Sequence, residues 1–323
     1  MYDALEDIPL EKAAAIFAAD DAVAGKLHDD PRYVRSGFRT PAGMRPCFEV
    51  WIARRIVATG NDGGIRFAAD DHEIIAHIEA VEDSDVAQCV EATYLRLIAT
   101  VVGCGFSHLV RFWNFIPQLN QGVGDAERYK QFCIGRGRAL QPFATRYMAP
   151  PAASCVGRVP GAISICVLAS KSAALSCENP RQISAFRYPR RYGPVAPEFS
   201  RSMILQRPEE DLLLAAGTAS IVGHETRHVG DPVAQTRETL ANLHAVVQRA
   251  NERRLSAAHF PTYAPANLRV YVRSAEDAPA IRSAVESFIA PAVRPLYAVA
   301  DICRADLLVE IEGAWEGPAR SCQ

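Results

Sequence analysis

The chain has 323 residues, of which 49% are hydrophobic and 22% are charged, and its formal net charge at pH 7 is −2. This composition is ordinary for a globular protein and provides enough apolar surface for two domains of about 150 residues each. A net charge so close to zero gives no reason to expect nucleic acid or an anionic membrane surface as a partner.

The N-terminal residues, the longest apolar stretch and the cysteines indicate where in the cell the protein works. The N-terminal residues are acidic and contain no apolar run, which argues against a secretory signal. The longest apolar stretch, residues 97–106, is too short to cross a bilayer. The nine cysteines are odd in number and lack paired spacing, which is typical of reduced thiols. We therefore expect a cytoplasmic protein without a membrane partner.

In chain order, the first half alternates predicted strands and helices. Residues 1–45 look irregular apart from one short helix, and glycines at 63–64 and 103–105 mark a turn and a helix end. Apolar residues recur at helical spacing over 85–102, and β-forming residues fill 108–116. The predicted helices are 10–19, 85–102 and 126–139, and the predicted strands are 47–58, 65–69 and 108–116.

The second half predicts a strand–helix–strand series. Residues 148–151, which include two prolines, are the best linker candidate, so we place domain boundaries at 1–149 and 150–323. Asp231 and Pro232 mark a helix start, and 178–197 should be a long loop. The predicted strands are 163–169, 212–216, 268–272, 296–301 and 307–311, and the predicted helices are 232–250 and one from about 279. This order favours an α+β fold in which helices pack on one face of a mixed sheet.

One short motif spells a zinc-protease signature. Residues 224–228 read His-Glu-Thr-Arg-His, and H-E-x-x-H binds zinc when both histidines lie one turn apart on a helix. Gly230 and Pro232 follow too closely for a helix to continue, and a third ligand at a familiar spacing is missing. We therefore predict a turn between strand and helix rather than a metal site.

Two carboxylates are the strongest candidates for chemistry. Glu310 and Glu312 are two residues apart on a predicted strand, so both side chains point to the same face. Such a face is often simply exposed to solvent. A carboxylic acid that is desolvated in a cleft would instead have a raised pKa and could act as a general acid.

Other residues have two readings that the sequence leaves open. Cys303 is either a small buried hydrophobe or a functional thiol. Gly217 permits close approach of a ligand or marks a plain bulge. A basic, tyrosine-containing region is either solvated or grips carboxylates. Its members are Arg136, Arg138, Arg187, Tyr188, Arg190, Arg191, Tyr192 and Arg201.

Taken together, these residues resemble a known family. The C-terminal part, about 205–315, is similar to the YjgF/RidA-like (chorismate-mutase-like) fold, and the wider region 105–315 resembles the chorismatases. The matching residues are 217–220, 230–231, Gln235, Leu240, Asn242 and 310–312 for the fold, and 111–117, Asn120, 127–129, 135–136, 179–182, 184–185, 188–189, 192–194 and 199–201 for the family.

The resemblance implies two related domains and an enzyme that converts chorismate to pyruvate and a ring product without metal or cofactor. It assigns the catalytic acid to Glu310 and the cysteine of hydroxybenzoate formers to Cys303. It places at Gly217 a small residue that is glycine in hydroxybenzoate formers and alanine in hydrolytic members, although Ala216 would fit the hydrolytic type if the match shifts by one residue. The expected product is 3-hydroxybenzoate.

The resemblance also implies a substrate with two carboxylates. We expect Arg201 and Tyr192 to recognise them, followed by Arg138 and Tyr129. The open alternatives are a hydrolytic enzyme that forms the cyclohexadiene diol, a mixed 3-/4-hydroxybenzoate synthase, an imine deaminase, and a small-molecule binding protein. Two related domains in one chain predict a monomer.

Overall fold

The computed structural model of the chain describes residues 1–82, 85–144, 149–254 and 259–318. A small three-stranded sheet forms first, from β1 (Ala13–Ala18), β2 (Tyr33–Val34) and β3 (Phe48–Ile52), in the order β2-β1-β3. The helix predicted over 10–19 is therefore wrong. Both faces of β1 are buried, since Phe17 packs in one apolar cluster and Ile16 in another, and this packing overrides the helical propensity of the alanines.

The first large sheet has six strands in the order β4-β5-β6-β9-β7-β8. Only the β7–β8 pair is parallel. The helices α1 and α2 follow β6 and β7 and pack through one apolar cluster on a single face of the sheet. The bounds are β4 (Ala58–Asp62), β5 (Ile65–Ala69), β6 (Glu73–Ala80), α1 (Val86–Gly103), β7 (His108–Pro117), α2 (Arg128–Leu140), β8 (Ala152–Arg158) and β9 (Ile163–Ser170).

The second large sheet has the order β10-β11-β12-β17-β15-β16, and a separate hairpin, β13–β14, follows β12. Asp231 caps α3 as predicted, because its side chain accepts a hydrogen bond of 2.9 Å from the amide of Ala234. The bounds are β10 (Leu175–Cys177), β11 (Ser202–Gln206), β12 (Glu210–Ala219), β13 (Ile221–Val222), β14 (Glu225–Thr226), α3 (Pro232–Arg253), β15 (Asn267–Val272), α4 (Ala278–Glu286), β16 (Leu296–Val299) and β17 (Val309–Pro318).

The two large sheets share one topology. When the strands of each sheet are counted in chain order, both sheets read 1-2-3-6-4-5, with a helix after the third strand and another after the fourth. The prediction of an α+β fold with helices on one face of each mixed sheet, in two related domains, is therefore confirmed.

The predicted domain boundary at 149–150 is wrong. Strands β8 and β9 both pair with β7, so the first sheet continues to Ser170 and the second begins at Leu175. The prolines at 150 and 151 interrupt only the connection from α2 to β8, after which the chain re-enters the same sheet. Met148, the first residue of the linker candidate, lies outside the described residues.

The two large sheets pack face to face. One apolar cluster joins Trp113 and Phe115 of β7 to Leu212 and Leu214 of β12, and it also takes in Phe17 of the N-terminal sheet. The helices of the second sheet bury their own cluster on the outer side. The order of layers is therefore helix, sheet, sheet, helix, which leaves the ends of the strands free to form a site between the sheets.

Helix α1 is the one helix in the described ranges with the length and mean hydropathy of a membrane span. Eight of its residues are buried, and they belong to the cluster between the helices and the first sheet or lie beside it. Its apolar face thus has a packing partner within the domain.

Candidate active site

A cavity of about 480 Å³ opens between the two domains, a size typical of small-molecule sites. Strand β8 and helix α2 of the first domain form one wall. Strands β12 and β17, the loop over 178–201 and the segment after β16 form the other. Six of the seven residues predicted from the sequence line it: Glu310, Cys303, Arg201, Tyr192, Gly217 and Tyr129.

The seventh predicted residue, Arg138, lies outside the cavity. Its side chain is 58% exposed and its Nη1 atom lies 3.6 Å from Glu91 Oε2. Arg136 faces the cavity instead and is 3% exposed. Two positions along an α-helix rotate the side chain by about 200°, so both arginines of α2 cannot face the same site. Arg138 is therefore not among the residues that the structure brings to the cavity.

Glu310 is a buried carboxylic acid that points into the cavity. Its strand, β17, lies between β12 and β15 in the middle of the sheet, so the exposed-face reading of Glu310 and Glu312 is wrong and each is 4% exposed. Burial, followed by the negative charge of Glu312, raises the pKa of Glu310 to about 8. Within the described ranges, no hydrogen bond or ion pair reaches the Glu310 carboxyl group, which leaves it free to act on a ligand.

Glu312, unlike Glu310, has several hydrogen-bond and ion-pair partners. Its carboxylate is 2.7 Å from Arg111 Nη2 and 3.1 Å from Arg269 Nη1, and it accepts hydrogen bonds from Tyr271 OH at 3.0 Å and from Ser154 Oγ. Two guanidinium groups and two hydroxyls therefore occupy the oxygens of the Glu312 carboxyl group. Two neighbouring carboxyl groups in such different environments can take different roles in a reaction.

Gly217 lies against Glu310. The pairing of β12 with β17 shifts between Ala215 and Thr218, which makes a bulge at this point, and the Gly217 amide donates a hydrogen bond of 2.9 Å to Ser154 Oγ. A Cβ atom on Gly217 would lie 2.8 Å from Glu310 Cδ and closer still to Oε1. Ala216 belongs instead to the apolar cluster between the sheets. Gly217 is thus the residue of this pair that touches the acid.

Three arginines bring unpaired donors to the cavity wall. Arg136 Nη2, Arg201 Nε and Arg304 Nη2 are buried and have no hydrogen-bond partner. Each guanidinium is held by the protein through another nitrogen, for example Arg201 Nη2 by Tyr188 OH at 2.6 Å and Arg136 Nε by Tyr94 OH at 3.0 Å. Buried unpaired donors on fixed guanidinium groups fit an anionic ligand.

Aromatic rings hold these arginines in place. The Arg304 guanidinium lies 3.9 Å from the centre of the Tyr192 ring, and Arg201 lies 5.1 Å from that of Phe199. The loop that carries Tyr188 and Tyr192 is anchored by its buried Asn179, whose Nδ2 donates to the carbonyl of Asn242 at 3.0 Å. The long loop is therefore part of the site, as its length led us to predict.

Three thiols, those of Cys133, Cys155 and Cys303, also line the cavity. Burial raises the pKa of Cys133 and of Cys303 to about 12, and raises that of Cys155 well above its usual value. All three are protonated at neutral pH, so Cys303 is a weak hydrogen-bond donor there rather than a thiolate nucleophile.

The H-E-x-x-H motif does not form a helix. His224 lies in the turn between β13 and β14, and His228 follows β14 with a φ of +56°. His224 Nδ1 faces Arg191 Nη2 at 2.9 Å, and His228 Nε2 faces Glu238 at 3.3 Å. Over the described ranges no three potential metal ligands come together. The predicted turn between strand and helix is confirmed.

Comparisons with known proteins agree with this geometry. The family model described as chorismatase FkbO/Hyg5-like, N-terminal, matches residues 49–169. A 3-hydroxybenzoate synthase of Streptomyces hygroscopicus is 36% identical over 276 residues, covering 83% of this chain and 81% of that protein. The chain belongs to the chorismatase family. Another relative from the same species, named chorismatase, is 34% identical and covers 82% of this chain and 78% of its own length.

The likeness extends to the whole structure. A chorismatase crystal structure at 1.08 Å resolution matches with a TM-score of 0.85 and 29% sequence identity, covering 98% of this chain and 97% of that one. Membership of the chorismatase family makes this protein an enzyme. It contradicts the readings of a zinc protease, an imine deaminase and a binding protein without catalysis.

Several residues of the chorismatase site were not identified from the sequence pattern. Ser154 and Cys155 lie on β8, which was not predicted because its sequence, AASCVGR, is rich in small residues without a clear alternation. Arg304 follows Cys303 directly and could have been found by its position beside a candidate residue. Arg136 was noted as one of several basic residues and as part of the family match, but it was given no role; a helical projection of α2 would have separated it from Arg138.

Proposed function

We propose that this chorismatase converts chorismate to 3-hydroxybenzoate and pyruvate, with Glu310 as the general acid, and that it needs neither metal nor cofactor. The observation that carries the proposal is the Glu310 carboxyl group, which is buried, unpaired and in contact with Gly217 in a cavity that Cys303 also lines. The similarity to a 3-hydroxybenzoate synthase supports the choice of product.

The cavity suits the charge of chorismate. The substrate carries two carboxylates on a compact ring and side chain, and the cavity offers the unpaired donors of Arg136, Arg201 and Arg304. Arginine pairs with carboxylates through parallel hydrogen bonds, and in a buried site each such bond is stronger than in water. Tyr192 and Tyr129 add aromatic surface beside these cations.

The first step is proton transfer to carbon. The enolpyruvyl ether must be protonated at its methylene carbon before pyruvate can leave, and a neutral carboxylic acid in a dry pocket can supply that proton. A pKa of about 8 keeps Glu310 protonated at neutral pH. The oxygens of Glu312 are occupied by Arg111 and Arg269, so Glu312 does not compete for this role.

The second step decides the product. In the hydrolytic route a water molecule attacks the protonated side chain and is consumed. In the hydroxybenzoate route the ring hydroxyl loses its proton and its oxygen displaces pyruvate from the neighbouring ring carbon. The arene-oxide-like intermediate formed in this way then opens and rearomatises to hydroxybenzoate, with no water consumed. Exclusion of water therefore favours the second route. We propose that the Cys303 thiol steers this step by positioning or proton exchange, and that Gly217 sets how closely the ring approaches Glu310.

Release of pyruvate tests the proposal. Purified protein treated with a chelator is mixed with chorismate, and pyruvate is measured continuously through its reduction by lactate dehydrogenase. We expect steady formation of pyruvate that is unchanged by added zinc or magnesium. Chorismate that remains intact would contradict the proposal, and turnover that requires added metal would contradict the part of it that excludes a metal.

Two arginines of α2 provide a matched pair of variants. Arg136→Gln should raise the KM for chorismate about 100-fold, because a buried charge-assisted hydrogen bond to a substrate carboxylate is lost. Arg138→Gln, on the exposed face of the same helix, should leave KM within about twofold. Steady-state kinetics of both variants measure this difference. Equal effects from the two substitutions would show that Arg136 does not bind the substrate.

Gly217→Ala tests the contact with the acid. The added methyl group displaces the Glu310 carboxyl group or narrows the ring site, so we expect kcat to fall about tenfold or more and the share of the diene diol among the products to rise. Gly230 is unsuitable as a control position because its φ of +82° would strain an alanine. Gly103, at the end of α1, is suitable because a Cβ added there would meet open space. Gly103→Ala should behave as wild type. An unchanged rate and product ratio for Gly217→Ala would contradict the assignment.

We also propose that the enzyme is a cytoplasmic monomer. The eight cysteines in the described ranges are free thiols, which supports a reducing compartment. The two related domains pack on each other through the cluster between their sheets and jointly line the cavity. A size-exclusion mass near 35.2 kDa would agree with this proposal, and a trimer would contradict it.

A further inference from the structure

The N-terminal sheet reaches the active site through buried charges. Glu49 of β3 binds Arg269 of β15 with both oxygens, at 2.6 Å to Nη2 and 3.0 Å to Nε. The Arg269 guanidinium also lies 4.2 Å from the centre of the Phe17 ring on β1. Glu49 and Arg269 are 3% and 1% exposed, so this is an ion pair without access to solvent.

Arg269 is shared between two carboxylates. Its Nη1 lies 3.1 Å from Glu312 Oε1, and Arg111 Nη2 lies 2.7 Å from Glu312 Oε2. Glu49, Arg269, Glu312 and Arg111 therefore form one continuous chain of charges, which we name the buried charge cluster. It crosses from the N-terminal sheet through the second large sheet to the first.

The buried charge cluster is balanced, with two cations and two anions. We propose that Glu49, which lies outside the cavity, is a positioning residue for catalysis that compensates Arg269 and so lets Glu310 remain uncharged. This inference rests on the proposed role of Glu310 as general acid. Without Glu49, the cluster carries one uncompensated positive charge in a region of low dielectric, and ionisation of a nearby carboxylic acid relieves it.

Glu310 is the group that would respond. The charged and titratable groups that act on it come from several elements: Glu312 on its own strand, Arg111 on β7, Cys155 on β8, Arg201 before β11, Arg273 after β15 and Cys303 after β16. The thiols stay protonated and the arginines stay charged over the range of interest. A change in the charge of the cluster therefore appears as a change in the protonation of Glu310.

The pH dependence of kcat tests the inference. Protonated Glu310 is the active form, so kcat falls as the pH rises through its pKa, near 8 in the wild type. Removal of the Glu49 charge lowers that pKa, so Glu49→Gln should move the midpoint of the alkaline limb down by about half a pH unit or more. Glu312→Gln, which removes the closer charge, should move it further in the same direction.

Two further variants separate this effect from a loss of stability. Glu49→Asp keeps the charge and should keep the midpoint of the wild type. Asp211→Asn breaks another buried pair, with Arg254 Nε at 2.9 Å, and should lower stability without moving the midpoint. The inference is overturned if Glu49→Gln keeps the midpoint of the wild type within about 0.2 pH unit. If Glu49→Gln does not fold, an unchanged midpoint in Glu312→Gln overturns it as well.

A second readout does not require turnover. The infrared carbonyl band of a protonated carboxyl group that disappears in Glu310→Gln reports the titration of Glu310 directly. That band should titrate at lower pH in Glu49→Gln than in the wild type. If the band shifts but neither the wild type nor any variant turns over chorismate, the proposed function fails and the electrostatic inference stands. If turnover is normal and the band does not shift, only the inference fails.

Discussion

Replacement of Glu310 by glutamine is expected to lower kcat for chorismate about 1,000-fold and to leave chorismate affinity within about threefold of the wild type. Glutamine has nearly the same shape but carries no acidic proton, so the enolpyruvyl carbon cannot be protonated. The arginines that bind the carboxylates of the substrate are unaffected. Steady-state kinetics measure the loss of rate, and calorimetric titration with chorismate measures the retained affinity.

Glu198 is the control for this variant. It lines the same cavity, and burial raises its pKa as well. However, the atoms nearest to a Cβ at Gly217 belong to Glu310 and Ser154, and Glu198 does not share a strand with Glu312. Glu198→Gln should keep kcat within about tenfold of the wild type. If Glu198→Gln were the inactive variant and Glu310→Gln the active one, the general acid would be assigned to the wrong carboxyl group.

Replacement of Cys303 by alanine should change the product rather than stop the reaction. The Cys303 thiol is protonated at neutral pH, so it contributes a weak donor and a small volume beside Glu310 and does not act as a nucleophile. Its removal opens space for water and loses the group that steers aromatisation. We expect chorismate consumption to stay within about tenfold while most of the product becomes the diene diol or 4-hydroxybenzoate, as measured by liquid chromatography.

Cys133 offers a control for this second variant. Its thiol lines the same cavity, and burial raises its pKa to about 12 as well. However, Cys133 lies on α2, across the cavity from β17. Cys133→Ala should retain 3-hydroxybenzoate as the main product. A Cys303→Ala enzyme with an unchanged product ratio would mean that other groups direct the rearomatisation.

The sequence predicted the fold best where the pattern of apolar residues was long. Helices α1 and α3 and strands β7 and β9 lie within a few residues of their predicted bounds. The two helices bury a periodic face, and the two strands are continuous buried runs. The helix predicted at β1 and the boundary predicted at 149–150 were wrong, since tertiary pairing decides both and a single sequence does not display it.

The environment of the site residues also depends on tertiary structure that the sequence does not display. The spacing of Glu310 and Glu312 placed both on one face, but only the position of β17 inside the sheet shows that this face is buried. The different surroundings of the two carboxyl groups depend on Arg111 and Ser154, which come from the other domain. Arg111 and Ser154 are 201 and 158 residues away from Glu312 in the chain, and partners so distant cannot be assigned from local pattern.

The most direct test of the whole account is product analysis of the wild-type enzyme with chorismate at neutral pH. The account predicts 3-hydroxybenzoate and pyruvate in equal amounts, because one molecule of chorismate yields one of each. Pyruvate accompanied mainly by the diene diol would contradict the roles given to Cys303 and Gly217. Chorismate recovered unchanged would contradict the proposed reaction itself.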